Sequence, residues 1–263
     1  MDVGKIISNS FRYPFRNIKK LPILFIIFIL SAIIPIGIIF DNRYVTIIGV
    51  FAFFLFILIA PGYMFSMIDF GLNESSMFPS ISFTRNVYNS LRLWVLRIVY
   101  MIVPALVFFI ALSTLGVSSI DLLKNLKVIE FLLTLGLTFI IILVIYLLFE
   151  FLLFFAKARL AYLNSLSEAL KMHKVVLDIK NIGLKNIIKW LILMVICMVV
   201  VSAISSLVMS IPYVGFLIYF CVIIPTLESI ANYSLGLLYS NIAVREGNLD
   251  KLNREVQQLK YLN

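Results

Sequence analysis

The polar residues of this chain are clumped, and between the clumps the sequence stays apolar for about 20 residues at a time, the length a helix needs to cross a bilayer core. Six such runs are legible: Leu21 to Phe40, Val45 to Met64, Leu93 to Leu112, Phe131 to Phe155, Trp190 to Met209 and Val214 to Tyr239. Their apolar residues are continuous rather than alternating, which excludes the period-two pattern of a membrane barrel. The pattern predicts an all-α polytopic membrane bundle of six transmembrane helices in three hairpins, forming one domain over residues 1–243. The fourth and sixth runs are long enough to tilt or to pass the interface. The first is too long for a signal-peptide core, and no small-x-small cleavage pattern follows Phe40, so it reads as a retained anchor.

Amphipathic segments lie between the hairpins. The chain approaches the membrane through VGKIISNSFRYPFRNIKKLPILF, FTRNVYNSLRLWVLRIVY and VVLDIKNIGLKNIIKWLIL. Their uneven spacing fits a degenerate internal repeat, or only the common plan of a bundle with basic flanks. The third approach follows Ser165-x-x-Glu168, a capping box. After it, Leu166, Leu170, His173 and Leu177 fall on one helical face, while Lys171, Lys174, Asp178 and Asn181 share the other. That predicts a helix lying in the interface, with Gly183 as its stop and its lysines toward anionic headgroups. His173 then reads as a packing residue. Residues 244–263 predict a separate amphipathic tail helix, with Leu249, Leu252, Val256 and Leu259 on a short heptad seam. The seam is too short to be stable alone. It is expected to dock on the cytoplasmic face, with self-association or a membrane-protein partner as the alternative.

Charge orients the bundle. Of the 22 Lys and Arg residues, all but Arg43, Lys124 and Lys127 flank the spans on one side. The positive-inside rule then puts both termini in the cytoplasm. The connections on the other side are short: Asp41 to Tyr44, Ser113 to Glu130 and Ser210 to Tyr213. Composition agrees: the chain is 62% hydrophobic with mean hydropathy +1.08, more apolar surface than a water-soluble domain hides.

Candidate chemistry is sparse. The chain has one histidine, and its two cysteines, Cys197 and Cys221, fall in apolar runs without zinc-ligand spacing. None of the 11 glycines builds a phosphate-binding loop, and no nucleophile motif occurs. No catalytic residue, metal or cofactor is therefore expected, and no nucleic acid, since topology accounts for the basic segments. What remains is a set of polar groups within the spans, where an ionisable side chain is a functional candidate by default. Arg97 and Glu150 lie in the cytoplasmic leaflet, where long side chains reach headgroup water. Glu228 lies deeper, three residues after Pro225, with Thr226, Ser229 and Asn232 around it. It reads as a protonated glutamate hydrogen-bonded between helices, as a partner of Arg97, or as part of a proton or ion path. Pro35, Pro61 and Pro104 break three other spans.

Scattered segments carry a likeness to a known family. They are the YPF and KK of YPFRNIKKLPILF, PGYMFSMI closing the second run, FP at Phe78 and Pro79, IVYMIVP in the third, then ARLAYLNSLSEALK, DIKNIGLKNI and SLGLLY. In these the chain resembles the archaeal and bacterial membrane proteins grouped as domain of unknown function 4013. The segment SISFTRNVYNSL after Pro79 departs from the family's pattern. The resemblance implies class and topology, and through archaeal members the plasma membrane, but no catalytic residues. The sequence is thus expected to encode a non-catalytic scaffold, assembly or lipid-interacting protein. The alternatives are a small-solute or ion transporter or channel built around Glu228, and a lipid enzyme joining Glu150, Arg97 and His173.

Overall fold

The computed structural model describes the backbone of residues 2–124, 128–211 and 214–261, and their side chains outside 115–128, 130–131 and 243–261. Among the described residues every regular element is helical. Helix α1 (Val3–Arg16) starts at Asp2, whose carboxylate accepts the Lys5 N–H at 3.3 Å. Pro22 sits in the first turn of α2 (Leu21–Ile39), where a missing N–H costs nothing. Asn42 caps α3 (Arg43–Leu72) by accepting the N–H groups of Tyr44 and Val45. There follow α4 (Phe83–Lys124), α5 (Val128–Leu163), α6 (Leu166–Ala169), α7 (Met172–Ile182), α8 (Leu184–Met209), α9 (Val214–Ile218), a π turn (Tyr219–Ile223) and α10 (Ile224–Tyr261).

Six segments are long and apolar enough to cross a membrane: Leu21–Ile39, Arg43–Leu72, Phe83–Thr114, Leu132–Leu163, Leu184–Met209 and Val214–Ile242. They form the three expected hairpins of a multi-pass membrane protein. The helices overrun the apolar runs, so residues expected in the flanks, Arg85, Arg92, Lys157 and Arg159 among them, are helical and belong to the bundle. Helix α10 runs without a break from the last span through the segment expected as a tail helix. The heptad seam of that tail lies outside the described side chains.

The core is concentrated at one end, the end bearing α1, α6, α7 and most of the basic residues. Its largest fully buried side chains include Tyr13, Tyr63, Tyr100, Tyr239, Phe78 and Phe155. Toward the opposite end the hairpins turn Phe51, Phe109, Leu137, Ile196 and Leu207 outward, as lipid contact allows. Helices α3 and α10 touch backbone to backbone where Gly71 meets Gly236. Helices α3 and α4 approach as closely at Gly62, whose N–H donates to Ser90 Oγ at 2.7 Å.

The proline bend expected at Pro225 takes a specific form. The Ile224 N–H bonds back to the Tyr219 carbonyl, one residue further than in an α-helix, which makes the π turn. Pro225 follows it and has no N–H to restore the α register. The Thr226 hydroxyl donates to the Val222 carbonyl at 2.6 Å.

The interfacial helix differs from expectation. It is two helices, because Lys171 leaves the helical region at φ −76°, ψ 85°. That break resets the helical phase, and the inward face of α7 becomes Val175, Asp178, Ile179 and Ile182. Asp178, expected on the polar face, is buried; His173 and Leu177, expected on the packed face, are exposed. Gly183 is the stop as expected, with φ +90°, where a side chain would be strained.

Candidate functional site

The four polar residues singled out in the spans occupy one region. Arg97 of α4 and Glu150 of α5 form an ion pair at 2.7 Å, and the Tyr146 hydroxyl donates to the same carboxylate oxygen at 2.8 Å. Arg97 is therefore the partner of Glu150, not of Glu228, because the α4–α5 hairpin sets 97 and 150 side by side. Glu228 is exposed rather than held between helices. Its partner is on its own helix: Asn232 Nδ2 donates to the Glu228 carbonyl at 2.7 Å and to its carboxylate at 3.2 Å.

Arg97, Glu228 and Asn232 line one cavity of about 410 Å³, which Glu150 borders through its bond to Arg97. Phe28 of α2 and Met64 of α3 supply apolar wall, and Lys157 of α5 a second cation. The charges acting on Lys157 are Glu150, Arg97 and Glu228. Lys157 stands two residues past the fourth apolar run, so it reads as a flanking charge until α5 is seen to continue to Leu163. The volume suits one small ligand group or several waters. Chemically, the cavity offers two cations, a carboxylate and an amide against aromatic and aliphatic walls. The Arg97 side chain is 47% exposed, so its pair is worth about 0–1 kcal/mol. Glu150→Gln is accordingly expected to change the unfolding free energy by less than about 1 kcal/mol in detergent, as read by thermal melting.

A second cluster was not legible in the sequence. At the basic end Arg159 of α5 is buried and donates to Asp178 of α7 at 2.7 Å. The Tyr239 hydroxyl of α10 donates to the same carboxylate oxygen. Arg159 Nε also donates to the Glu168 carbonyl at 3.1 Å, and the Tyr100 hydroxyl of α4 to the Ala169 carbonyl at 2.9 Å. Helices α6 and α7 are thus latched to three spans through polar atoms that satisfy one another. The capping box is partly realised: the Glu168 N–H donates to Ser165 Oγ at 3.5 Å, while the Glu168 carboxylate meets Lys171 and Arg159.

Hydrogen bonding to the Lys171 ammonium holds the Glu168 carboxyl below its ordinary value. A carboxylate lowered on folding stabilises the fold above its unfolded pKa, and that contribution is lost as pH falls through the folded value. Acidification below the ordinary Glu range of about 4.3 is therefore expected to lower the melting temperature of the wild type slightly more than that of Glu168→Gln.

The N-terminal helix is stapled at the same end. The Tyr13 hydroxyl donates to the Met77 carbonyl at 3.0 Å, and its ring stacks on Phe78 and Tyr233. Burial pushes the Tyr13 phenol above its ordinary value, which keeps it a donor. Asn17 Oδ1 accepts the Phe78 N–H at 3.1 Å, and Lys20 Nζ donates to the Phe78 carbonyl at 3.2 Å. Among the described residues, no group of three or more His, Cys, Asp or Glu is placed to hold a metal ion.

A family model described as "Protein of unknown function (DUF4013)" matches residues 45–210. No curated protein and no solved structure matches the chain. The matched stretch is more than half of the chain, so this six-span membrane protein belongs to the DUF4013 family of proteins of unknown function.

Proposed function

We propose that the protein is a non-catalytic, lipid-interacting scaffold or assembly component of the plasma membrane, with both termini in the cytoplasm. The observation that carries this reading is the platform at the basic end, where α1, α6 and α7 are bonded into the bundle by Tyr13, Asn17, Arg159 and Asp178. A cytoplasmic face so fixed presents Phe15, Ile18, Val176 and Leu177 outward beside lysines, the combination that binds an anionic headgroup layer. The stretch that the family model matches supplies Phe78, Arg159, Glu168 and Asp178 of this platform. Within the cavity, Arg97 with Glu150 and Glu228 with Asn232 already satisfy one another, as structural pairs do. The heptad seam in the sequence of residues 244–263 is a further candidate contact for a membrane-protein partner or a second copy.

One observation favours the transport reading. Lys157 and Glu228 share a cavity with the π turn and Pro225 close by, and interrupted helices beside charged groups recur in transporters. Orientation, on which the platform reading rests, is tested in a variant lacking Cys197 and Cys221. Single-cysteine variants Asn42→Cys and Asn73→Cys are labelled with an impermeant maleimide in intact cells and in inverted vesicles. Asn42→Cys is expected to react only from outside and Asn73→Cys only from the cytoplasmic side. The reverse pattern would remove the basis for a cytoplasmic platform.

A further inference from the structure

A second pocket, of about 310 Å³, opens at the basic end between α3, α4 and the end of α5. Helix α4 supplies Arg85, Tyr88, Asn89 and Arg92, the spacing of one helical face. Asp69 of α3 and Asn164 after α5 stand across from them. Arg92 is only 7% exposed. Its guanidinium donates to Asn164 Oδ1 at 2.7 Å and lies 5.2 Å over the centroid of the Tyr88 ring.

Both of those partners are neutral. An amide oxygen and a ring face orient the guanidinium without cancelling its charge. Among the described residues no carboxylate is paired with Arg92; the ion pairs there are those of Arg97, Arg159 and Lys171. Asp69 is exposed, accepts a hydrogen bond from Asn73 at 3.3 Å, and has Arg85 as the cation acting on it. The pocket therefore holds two guanidinium groups against one carboxylate, and the deeper one lacks a counter-charge. A buried charge is costly until it is met, and a planar fork of five donors is matched best by carboxylate or phosphate oxygens. Arg85 is already steered: its guanidinium donates to the Ser80 carbonyl at the pocket rim.

We propose that this pocket is a binding site for a phosphate group, with Arg92 as its floor, Asn89 as an amide donor and Arg85 closing it from the rim. Arg85 lies two residues into the Phe83–Thr114 span and Arg92 about two turns deeper, so the pocket sits where the helix enters the membrane. Phosphates of lipid headgroups and of soluble phosphate esters both reach that level. The site stands apart from the membrane cavity, with which it shares only Phe65. It does not depend on the scaffold reading.

The test uses the full chain in a maltoside detergent, which carries no phosphate. Glycerol 3-phosphate is titrated in one arm and phosphatidylglycerol in mixed micelles in the other, by calorimetry. Arg92→Gln is expected to weaken binding about tenfold to a hundredfold, the loss of a charge-assisted hydrogen bond, and Arg85→Gln to weaken it severalfold. Arg92→Lys keeps the charge without the fork and should fall between Arg92→Gln and wild type. Arg85 is exposed, so Arg85→Gln reports on the site even if Arg92→Gln folds poorly. Binding of glycerol 3-phosphate that these variants weaken assigns a soluble phosphate, and binding of the lipid alone assigns a headgroup. Absence of binding in both arms, or wild-type binding by both glutamine variants, would overturn the proposal.

Discussion

Asp178→Ala is expected to destabilise the protein by about 3–5 kcal/mol, because it leaves the Arg159 guanidinium buried without its counter-charge. The Arg159 side chain is 10% exposed and that of Asp178 5%, so water does not replace the lost carboxylate readily. The same substitution removes the acceptor of the Tyr239 hydroxyl, so α7 loses its bonds to α5 and α10 together. Arg159→Met strands the Asp178 carboxylate in turn, with only the Tyr239 hydroxyl left as a donor, and should cost a comparable amount. The double variant Arg159→Met with Asp178→Leu should recover most of the loss, as apolar replacements of buried ion pairs do. Chemical unfolding in detergent checks the order. A double variant no better than Asp178→Ala would mean that shape, not charge, holds the latch.

Gly236→Ala is expected to produce the next largest loss, about 3 kcal/mol, at the upper end for an overpacked site. A Cβ at 236 would fall on the Ile68 carbonyl oxygen and within 2.8 Å of Gly71 Cα. Both are backbone atoms, so no rotamer change relieves the clash and α3 must move away from α10. Gly136 offers the control, because a Cβ there meets nothing within 4 Å. Gly136→Ala should leave the melting temperature unchanged or raise it, since alanine is the better helix former. Equal melting temperatures for the two variants would mean that α3 and α10 do not cross in contact.

What was legible in the sequence was what bilayer physics dictates one helix at a time. Apolar runs of spanning length gave six helices, and Gly183 stopped α7 as expected. Arg97, Glu150, Glu228 and Asn232 were recognisable because polar groups stand out against lipid. Their pairing was not, since it depends on which helices are neighbours: Arg97 found Glu150 across its own hairpin and left Glu228 to Asn232. The least legible residues were those where the two solvents meet. Lys157, Arg159, Arg92 and Asp178 look like ordinary interfacial charges in a linear pattern. Whether such a residue is solvated or buried turns on where each helix stops and on its rotation, and the break at Lys171 altered that rotation for α7.

The scaffold reading is tested most directly by flux through purified protein in liposomes. Wild type, Glu228→Gln and Lys157→Met are reconstituted with dyes reporting protons, potassium and small anions. The expected result is that all three proteins match protein-free liposomes. A wild-type flux well above that level, abolished by either substitution in the cavity, would contradict it and make the protein a transporter or channel.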